Sequence, residues 1–484
     1  MSLLLITFIL PLIASVATFA LGNKMAKVLA LLFSAATFVL SIGVYLSVAH
    51  SETGSLQFTA NWIPEMNIHF SLLVDGLSIW LLLLTNFLVP VILLASYQKS
   101  FKNEAALYAL VLLMQFGLVG VFTAADGFLF YIFWELALLP IYFIVWLWSE
   151  NPDEQVRTRT AFKFFIYTIA GSLFMLLGFM YLYVKLGSLD LATLYSSSLD
   201  SKDQIILFAF FFSAFAIKIP IFPFHTWQAD TYRESPTIGT MLLSGIMLKM
   251  GIYGLIRWLI PVLPLGTAFW TPYVIALCVI GVIYGAIIAI RQDNLKNLLA
   301  YSSLSHVGLI AAGTLVLTNE GFQGASIQML AHGVNVVGAF FIAEIILQRT
   351  GTLSISQLGG IRSVAPKFFT CAVIMVLASV ALPLTNGFVG EFLLLFSMFQ
   401  YNTWLAVLAG TTIVLGAVYM LWMTQRVFLG NVNSRTEKFE DLKTTELLVF
   451  VVLIACVFIF GVYPKLVFDF LQTASGTILG ASLR

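Results

Sequence analysis

Charged residues are scarce in this chain of 484 residues. Asp, Glu, Lys and Arg make up only 10% of it, whereas hydrophobic residues make up 60%. A typical soluble domain carries about 25% charged residues, so the composition excludes a soluble globular protein and predicts one that crosses a membrane many times. The net charge of +1 gives no indication of a nucleic acid or of an acidic partner.

Cysteine is rare as well. Cys278, Cys371 and Cys456 lie in separate apolar runs, with no C-x-x-C pair and no Cys/His cluster in the sequence. The sequence therefore offers no ligands spaced for an iron–sulfur cluster or a zinc site. It also contains no nucleotide or flavin motif, so we expect neither a metal nor a cofactor in this chain.

Long apolar runs fill the rest of the sequence. A membrane-spanning helix needs about 20 apolar residues, and short connections join the stretches that qualify. The longest connection follows the second stretch, where residues 57–73 alternate enough to predict a small β-hairpin. The fourteen predicted spans are residues 2–22, 26–49, 73–97, 107–124, 127–148, 161–186, 204–228, 235–258, 271–290, 297–317, 321–348, 367–400, 403–428 and 445–469.

Basic residues predict the orientation of these spans. With the N-terminus outside and the spans alternating, seventeen of the 24 Lys and Arg residues fall on the inner side and five on the outer side. The remaining two, Lys218 and Lys249, lie inside spans. Because basic residues accumulate on the cytoplasmic side, the bias favours an even number of spans and both termini outside. We read residues 1–24 as the first span rather than a signal peptide, since they lack a basic leading region.

Proline interrupts two of the predicted spans. Span 7 carries Pro220 and Pro223, and span 12 carries Pro383. Proline removes a backbone donor and breaks a helix, and in hydrocarbon the freed groups need protein or water partners. Broken helices in corresponding halves favour inverted repeats around a transport site, although two unrelated proline kinks would give the same pattern.

The repeat interpretation divides the chain into four parts. Residues 1–106 hold spans 1–3, residues 107–258 the first repeat (spans 4–8), residues 271–428 the second repeat (spans 9–13), and residues 429–484 span 14 and a tail. A repeat of five helices reverses the direction of the chain, so the two halves would have opposite topology. Little residue-level similarity supports the repeat, which depends mainly on the position of the two breaks.

Ionisable side chains interrupt spans well away from the predicted helix ends. A charged group at the centre of a membrane helix costs about 2.5–3.5 kcal/mol, so structure alone offers cheaper choices. Carboxylates, lysines and histidines can hold and release protons, and the set predicts a proton pathway at mid-depth in the membrane. Its members are Glu135 in span 5, Lys218 in span 7, Lys249 in span 8, His306 in span 10, His332 in span 11 and Glu391 in span 12.

Structural explanations stay open for single members of this set. Glu135 and Lys218 could form an ion pair with no further role, Lys249 could extend toward the membrane surface, and Glu391 could bond to free amides beside a helix break. A lone buried histidine is often only a hydrogen-bonded core residue. Asp75 and Glu344 lie near the ends of spans, and there we expect them to be solvated.

Six motifs give the chain a family resemblance. It resembles the antiporter-like membrane subunits of respiratory complex I (NADH:quinone oxidoreductase), in particular the M type, which are related to subunits of Mrp Na⁺/H⁺ antiporters and membrane-bound hydrogenases. The motifs are LLVDGLSIWLLLLTNFLVP, FWELALLPIYFIVWLW with Glu135, AFAIKIPIFPFHTWQADTYRESPTIGTMLLSGIMLKMGIYGLIRW with Lys218 and Lys249, DNLKNLLAYSSLSHVGLI with His306, QMLAHGVNVVGAFF with His332, and LPLTNGFVGEFLLLF with Glu391. Where the family usually has Leu-Pro after the tryptophan, this chain has Gln228-Ala229.

The resemblance implies a fold and a function. The fold would be all-α, with about fourteen transmembrane helices and two inverted five-helix repeats. The function would be proton translocation along Glu135, Lys218, Lys249, His306, His332 and Glu391, coupled to quinone reduction elsewhere in a complex. FMN, iron–sulfur clusters and quinone would be held by other subunits, L-type and N-type subunits would be neighbours, and the location would be the bacterial inner membrane. An Mrp-type antiporter subunit, a hydrogenase-linked or ferredoxin-linked complex and a passive scaffold are the alternatives.

Overall fold

A computed structural model describes residues 2–482 of the chain, apart from the side chain of Ser482, as a bundle of helices with one β-hairpin. In chain order the helices are α1 (Leu3–Leu21), α2 (Asn23–Ala49), α3 (Ser78–Ala95), α4 (Glu104–Thr123), α5 (Gly127–Leu147), α6 (Glu154–Leu186), α7 (Leu191–Ser196), α8 (Ser201–Lys218), α9 (Gln228–Glu234), α10 (Thr237–Leu242), α11 (Leu248–Gly254), α12 (Pro264–Arg291), α13 (Leu295–Leu315), α14 (Asn319–Thr350), α15 (Ile361–Val364), α16 (Pro366–Ser379), α17 (Asn386–Tyr401), α18 (Thr403–Phe428), α19 (Thr444–Val462) and α20 (Lys465–Ser482). The π-helical segment Leu243–Met247 joins α10 to α11, and a second one, Leu255–Leu259, extends α11, so that all four form one span. Short 3₁₀ turns cover Pro64–Met66 and Ile355–Gln357.

The prediction of a polytopic all-α membrane protein is confirmed. Within residues 2–482, twelve helices are long and apolar enough to cross a membrane, the one at Thr237–Leu259 being the composite span. The two other predicted spans are spans 7 and 12, which proline was predicted to interrupt. α8 ends at Lys218, before Pro220, and a break at residues 380–385 separates α16 from α17. Both predicted breaks are therefore present, whereas the inverted repeat itself stays a prediction.

Polar residues set the ends of several spans. Asp126 caps α5 by accepting hydrogen bonds from the amides of Phe128 (2.8 Å) and Leu129 (3.2 Å), which satisfies donors that the first turn leaves free. At the other end of a helix, Gly187 (φ 71°) and Gly351 (φ 70°) adopt the left-handed conformation that terminates α6 and α14.

Some predicted boundaries are wrong. The last span ends at Val462 rather than at residue 469, because Pro464 restricts the residue before it and a separate helix, α20, begins at Lys465. α6 begins at Glu154, seven residues before its apolar run, since its charged first turns are also helical. The hydropathy of the sequence therefore located the spans but not their polar ends.

A hairpin marks one side of the bundle. β1 (Leu56–Ile63) and β2 (Ile68–Val74) pair antiparallel, which confirms the predicted hairpin. β2 continues into a bridge between Leu72 and Ala124, and α20 packs here so closely that a Cβ on Gly76 would lie 1.8 Å from the carbonyl oxygen of Phe470. We name this the hairpin side.

Lysines mark the opposite side, which we name the basic side. Lys27 donates to the carbonyl of Lys99 (2.8 Å), and Lys296 donates to the carbonyl of Ser235 (2.8 Å). Lys99 in turn contacts the carboxylate of Glu344 (2.7 Å). Although burial by itself lowers the pKa of Lys99, the carboxylates of Glu344 and Glu150 raise it above its ordinary value, so this cation keeps its charge.

The expectation that Glu344 and Asp75 are solvated is wrong. Glu344 is only 3% exposed and accepts hydrogen bonds from Lys99, Gln348 and Thr237. Asp75 is mostly buried against the guanidinium of Arg257. Both carboxylates lie near helix ends in the sequence, but neighbouring elements cover them, and sequence position alone does not show that cover.

A close approach of two helices fixes the centre of the bundle. A Cβ added to Gly333 in α14 would lie 2.9 Å from the carbonyl oxygen of Gly245, and one added to Gly245 would lie 2.7 Å from a methyl group of Val337. Real Cβ atoms do not come this near to other atoms, so the two backbones can approach in this way only because both positions are glycine.

We expect Gly333→Ala to force these helices apart. Overpacking of this kind costs about 1–3 kcal/mol, so thermal unfolding of the purified protein in detergent should shift to lower temperature. Gly410→Ala is the matched control, because nothing lies within 4 Å of a Cβ at this helical position. Equal unfolding temperatures for the two variants would contradict the close packing described here.

Candidate functional site

The six predicted residues fall into two groups in the structure. His306, His332 and Glu391 line one small cavity, Lys249 contacts His332, and all four are buried. Glu135 and Lys218 form a separate and looser group on α5 and α8.

Lys249 is held by two acceptors. Its ammonium donates to the carbonyl of Ser244 (2.7 Å) and approaches Nδ1 of His332 (2.8 Å), while the residue is only 2% exposed. Ser244 lies five residues earlier in the same span, within the π-helical segment, where the wider turn brings this carbonyl within reach. Lys249 therefore points into the bundle, and the alternative that it extends to the membrane surface is wrong.

His332 contacts Ser303 through its second ring nitrogen. Its Nε2 lies 3.0 Å from the hydroxyl of Ser303. A neutral imidazole accepts at one nitrogen and donates at the other, so with Lys249 as donor at Nδ1 the proton of the ring sits on Nε2 and points at Ser303. When the ring takes up a proton at Nδ1, it can then release the proton that it carries on Nε2.

His306 and Glu391 form the second half of this group. Nδ1 of His306 lies 2.9 Å from the carboxylate of Glu391, and both side chains are almost completely buried. Gln328 donates a further hydrogen bond to this carboxylate (3.3 Å), and a Cβ at Gly390 would lie 2.2 Å from the Gln328 side-chain oxygen. Glycine beside Glu391 thus lets α17 approach α14 closely enough for these contacts.

Tyr419 extends the group on the other side of His306. Its hydroxyl lies 3.5 Å from Nε2 of His306 and 3.0 Å from the hydroxyl of Ser302. Ser302 and Ser303 belong to the motif that carries His306, whereas Tyr419 lies in no motif, because a single tyrosine in an apolar span is usually a packing residue.

A cavity of about 30 Å³ joins the two histidines. The ring centroids of His306 and His332 are 6.3 Å apart, too far for a direct hydrogen bond. The cavity has room for about one or two waters, and it is lined by the buried oxygens of Gln328 and Asn335, which have no hydrogen-bond partner within residues 2–482. Unpartnered buried acceptors beside a cavity indicate sites for bound water.

Glu135 and Lys218 interact without touching. No nitrogen–oxygen distance of 4 Å or less joins them among the described residues, so the alternative of a direct structural ion pair is wrong in this conformation. The carboxylate still acts electrostatically on Lys218, and the lysine lies 5.3 Å from the ring centroid of Trp134. In the described part of the chain the Lys218 ammonium and one oxygen of Glu135 have no hydrogen-bond partner.

One helix break places a charge at a helix end. Lys218 is the last residue of α8, where the helix dipole favours a cation. Glu391 is the sixth residue of α17, beyond the first turn in which the dipole acts most strongly. At the first break the indole of Trp227 donates to the carbonyl of Ile217 (3.0 Å), which satisfies a group that the break had freed.

Comparison with known proteins identifies the family. Residues 124–416 match the protein family described as NADH:quinone oxidoreductase/Mrp antiporter, TM. The chain is 36% identical over 473 residues to NADH-quinone oxidoreductase subunit M of Rickettsia typhi, with 95% of each chain covered. Its fold matches a chain in the structure of respiratory complex I from Thermus thermophilus with bound NADH, at 29% identity, a TM-score of 0.90 and 99% coverage of both chains.

A structure of the Mrp complex from a Dietzia species shares the fold alone. The identity is 22% and the TM-score 0.85, with 99% of this chain and 52% of that chain covered.

The family model matches more than half of this chain, and the subunit M of Rickettsia typhi is similar to it over nearly the whole chain. The chain therefore belongs to the NADH:quinone oxidoreductase/Mrp antiporter family of membrane subunits, as a member of the subunit M type.

Proposed function

We propose that this chain is a proton-translocating subunit in the membrane arm of an NADH:quinone oxidoreductase. The observation that carries the proposal is the contact series Lys249–His332–Ser303, which a small polar cavity joins to His306 and Glu391. A purely structural core would not need four buried ionisable side chains arranged around space for water.

The residues have different roles in the proposed proton transfer. A proton held on Lys249 passes to Nδ1 of His332, and the imidazole releases another from Nε2 toward Ser303 and the cavity. Water in the cavity carries it to His306 and Glu391. Glu135 and Lys218 form the input half, where movement of the carboxylate toward or away from the lysine changes how strongly the lysine holds its proton.

The surroundings of the chain follow from this role. The electrons would be carried by FMN, iron–sulfur clusters and quinone in other subunits, with L-type and N-type subunits as neighbours. The chain would lie in the bacterial inner membrane with its hairpin side outward, as the distribution of basic residues predicts. An Mrp-type antiporter is less well supported, because a relative of the complex I type is 36% identical to this chain whereas the Mrp likeness extends to the fold alone.

We expect Glu135→Gln to lower the number of protons pumped per NADH oxidised. The amide keeps the size of the side chain but removes the charge that acts on Lys218. The measurement is acidification of reconstituted vesicles during NADH oxidation, with Glu65→Gln on the exposed hairpin as control. Equal pumping by both variants would support a passive scaffold instead.

We expect His332→Gln to distinguish a proton-transfer role of His332 from a purely structural role. Glutamine offers one acceptor and one donor, as a neutral imidazole does, so Lys249 and Ser303 keep partners and the free energy of unfolding should change by less than about 1 kcal/mol. It cannot take up a proton, so turnover-driven pumping should be lost or fall severalfold. Pumping at the wild-type level in an intact His332→Gln complex would exclude His332 from the pathway.

A further inference from the structure

A second buried charge pair lies outside the series described above. Arg257 donates to both oxygens of the Asp75 carboxylate at 2.6 Å, and Arg257 is only 3% exposed. Asp75 also accepts hydrogen bonds from the amides of Leu77 (3.1 Å) and Ser78 (3.0 Å) at the start of α3. Burial alone would raise the pKa of Asp75, but Arg257 and Ser78 hold it below its ordinary value, so the pair stays charged.

The pair lines a cavity on the hairpin side. This cavity has a volume of about 260 Å³, and Asp75, Arg257, Asp190 and Tyr195 are among the residues that line it. The volume holds several waters. The Nε donor of Arg257 is buried and has no partner within residues 2–482, although the residue lines this polar space. Water on the hairpin side can therefore come up to the pair.

Lys249 lies on the same span as Arg257, nearer to the middle of that span. Arg257 follows Lys249 by two turns, about 12 Å along the helix axis, and Tyr253 occupies the turn between them. The hydroxyl of Tyr253 is committed to the carbonyl of Phe122 (3.2 Å), and the Arg257 guanidinium lies 5.6 Å from the centroid of its ring. Tyr253 thus lies between Lys249 and Arg257 along the span, about one turn from each.

A buried ion pair adds little stability compared with apolar residues of the same size, so its position needs another reason. A guanidinium does not give up its proton at physiological pH, so it cannot relay one, and a fixed positive charge repels a proton that approaches through a narrow polar passage. Building on the proposed function, we propose that Arg257, positioned by Asp75, is an electrostatic seal that stops protons on Lys249 from escaping directly to the hairpin side. Protons then leave only by way of His332, His306 and Glu391.

Passive proton leak tests the seal without turnover. The whole complex is reconstituted into vesicles that contain a pH-sensitive dye, and a potassium gradient with valinomycin drives protons across the membrane in the absence of NADH. Arg257→Gln combined with Asp75→Asn keeps polar groups of similar size but removes both charges, and it should raise the leak severalfold. Arg257→Lys keeps the positive charge and is the matched control, with a leak close to that of the wild type.

Two further variants distinguish a seal from a structural clamp. Asp75→Asn alone leaves the positive charge uncompensated, so its leak should not exceed that of the wild type, whereas a broken clamp would leak as much as the double variant. Lys249→Met added to the double variant should abolish the extra leak, because the escaping protons pass through Lys249. NADH oxidation with an uncoupler verifies that each complex is assembled.

The outcomes separate this inference from the proposed function. An unchanged leak in the double variant, a leak of equal size in Asp75→Asn, or an extra leak that persists with Lys249→Met would each overturn the seal. Turnover-driven pumping by wild type and by Lys249→Met is measured in the same vesicles. Loss of pumping in Lys249→Met together with an unchanged leak in the double variant would refute the seal and leave the pumping role intact.

Discussion

The contact between Lys249 and His332 is the interaction on which the rest of the site depends. An ammonium in the interior of a membrane protein needs acceptors at hydrogen-bond distance, because no bulk water is present to replace them. The two glycines at positions 245 and 333 let the backbones of two spans approach closely, and the lysine and the histidine meet beside this crossing. The close packing of these two spans therefore also brings the lysine and the histidine into contact.

The two groups of ionisable residues differ in how firmly they are held. Around the central cavity, His332, His306 and Glu391 all have partners at 3.0 Å or less. The Lys218 ammonium and one oxygen of Glu135 have no hydrogen-bond partner within residues 2–482, although the two side chains act on each other electrostatically. A fixed series suits passage of protons, whereas a pair that is free to approach or separate suits control of that passage. In the proposed function this difference gives the pair on α5 and α8 a regulatory part and the series around the cavity a conducting part.

Charges near the two membrane surfaces complete the arrangement. On the basic side, Lys99 pairs with the buried Glu344, and on the hairpin side Asp75 pairs with the buried Arg257. Both pairs join elements that are distant in sequence, and the Asp75–Arg257 pair lines the cavity on the hairpin side. A proton pathway through the centre of a membrane needs such closed ends, since an open path would dissipate the gradient that the complex builds.

The sequence by itself determined the class of the protein, the approximate positions of the spans, the two helix breaks and the ionisable residues that interrupt spans away from their ends, because hydropathy, proline and isolated charges are local properties that a bilayer constrains strongly. It also determined the hairpin, through alternation of residue types. Only the tertiary structure decided that Lys249 meets His332, that Glu135 and Lys218 stay apart, that Tyr419 joins His306 and that Asp75 is buried against Arg257. Those contacts join residues more than eighty positions apart in the chain, or depend on distances of a few ångströms between helices. Packing of side chains sets such distances, and no pattern along the sequence records them.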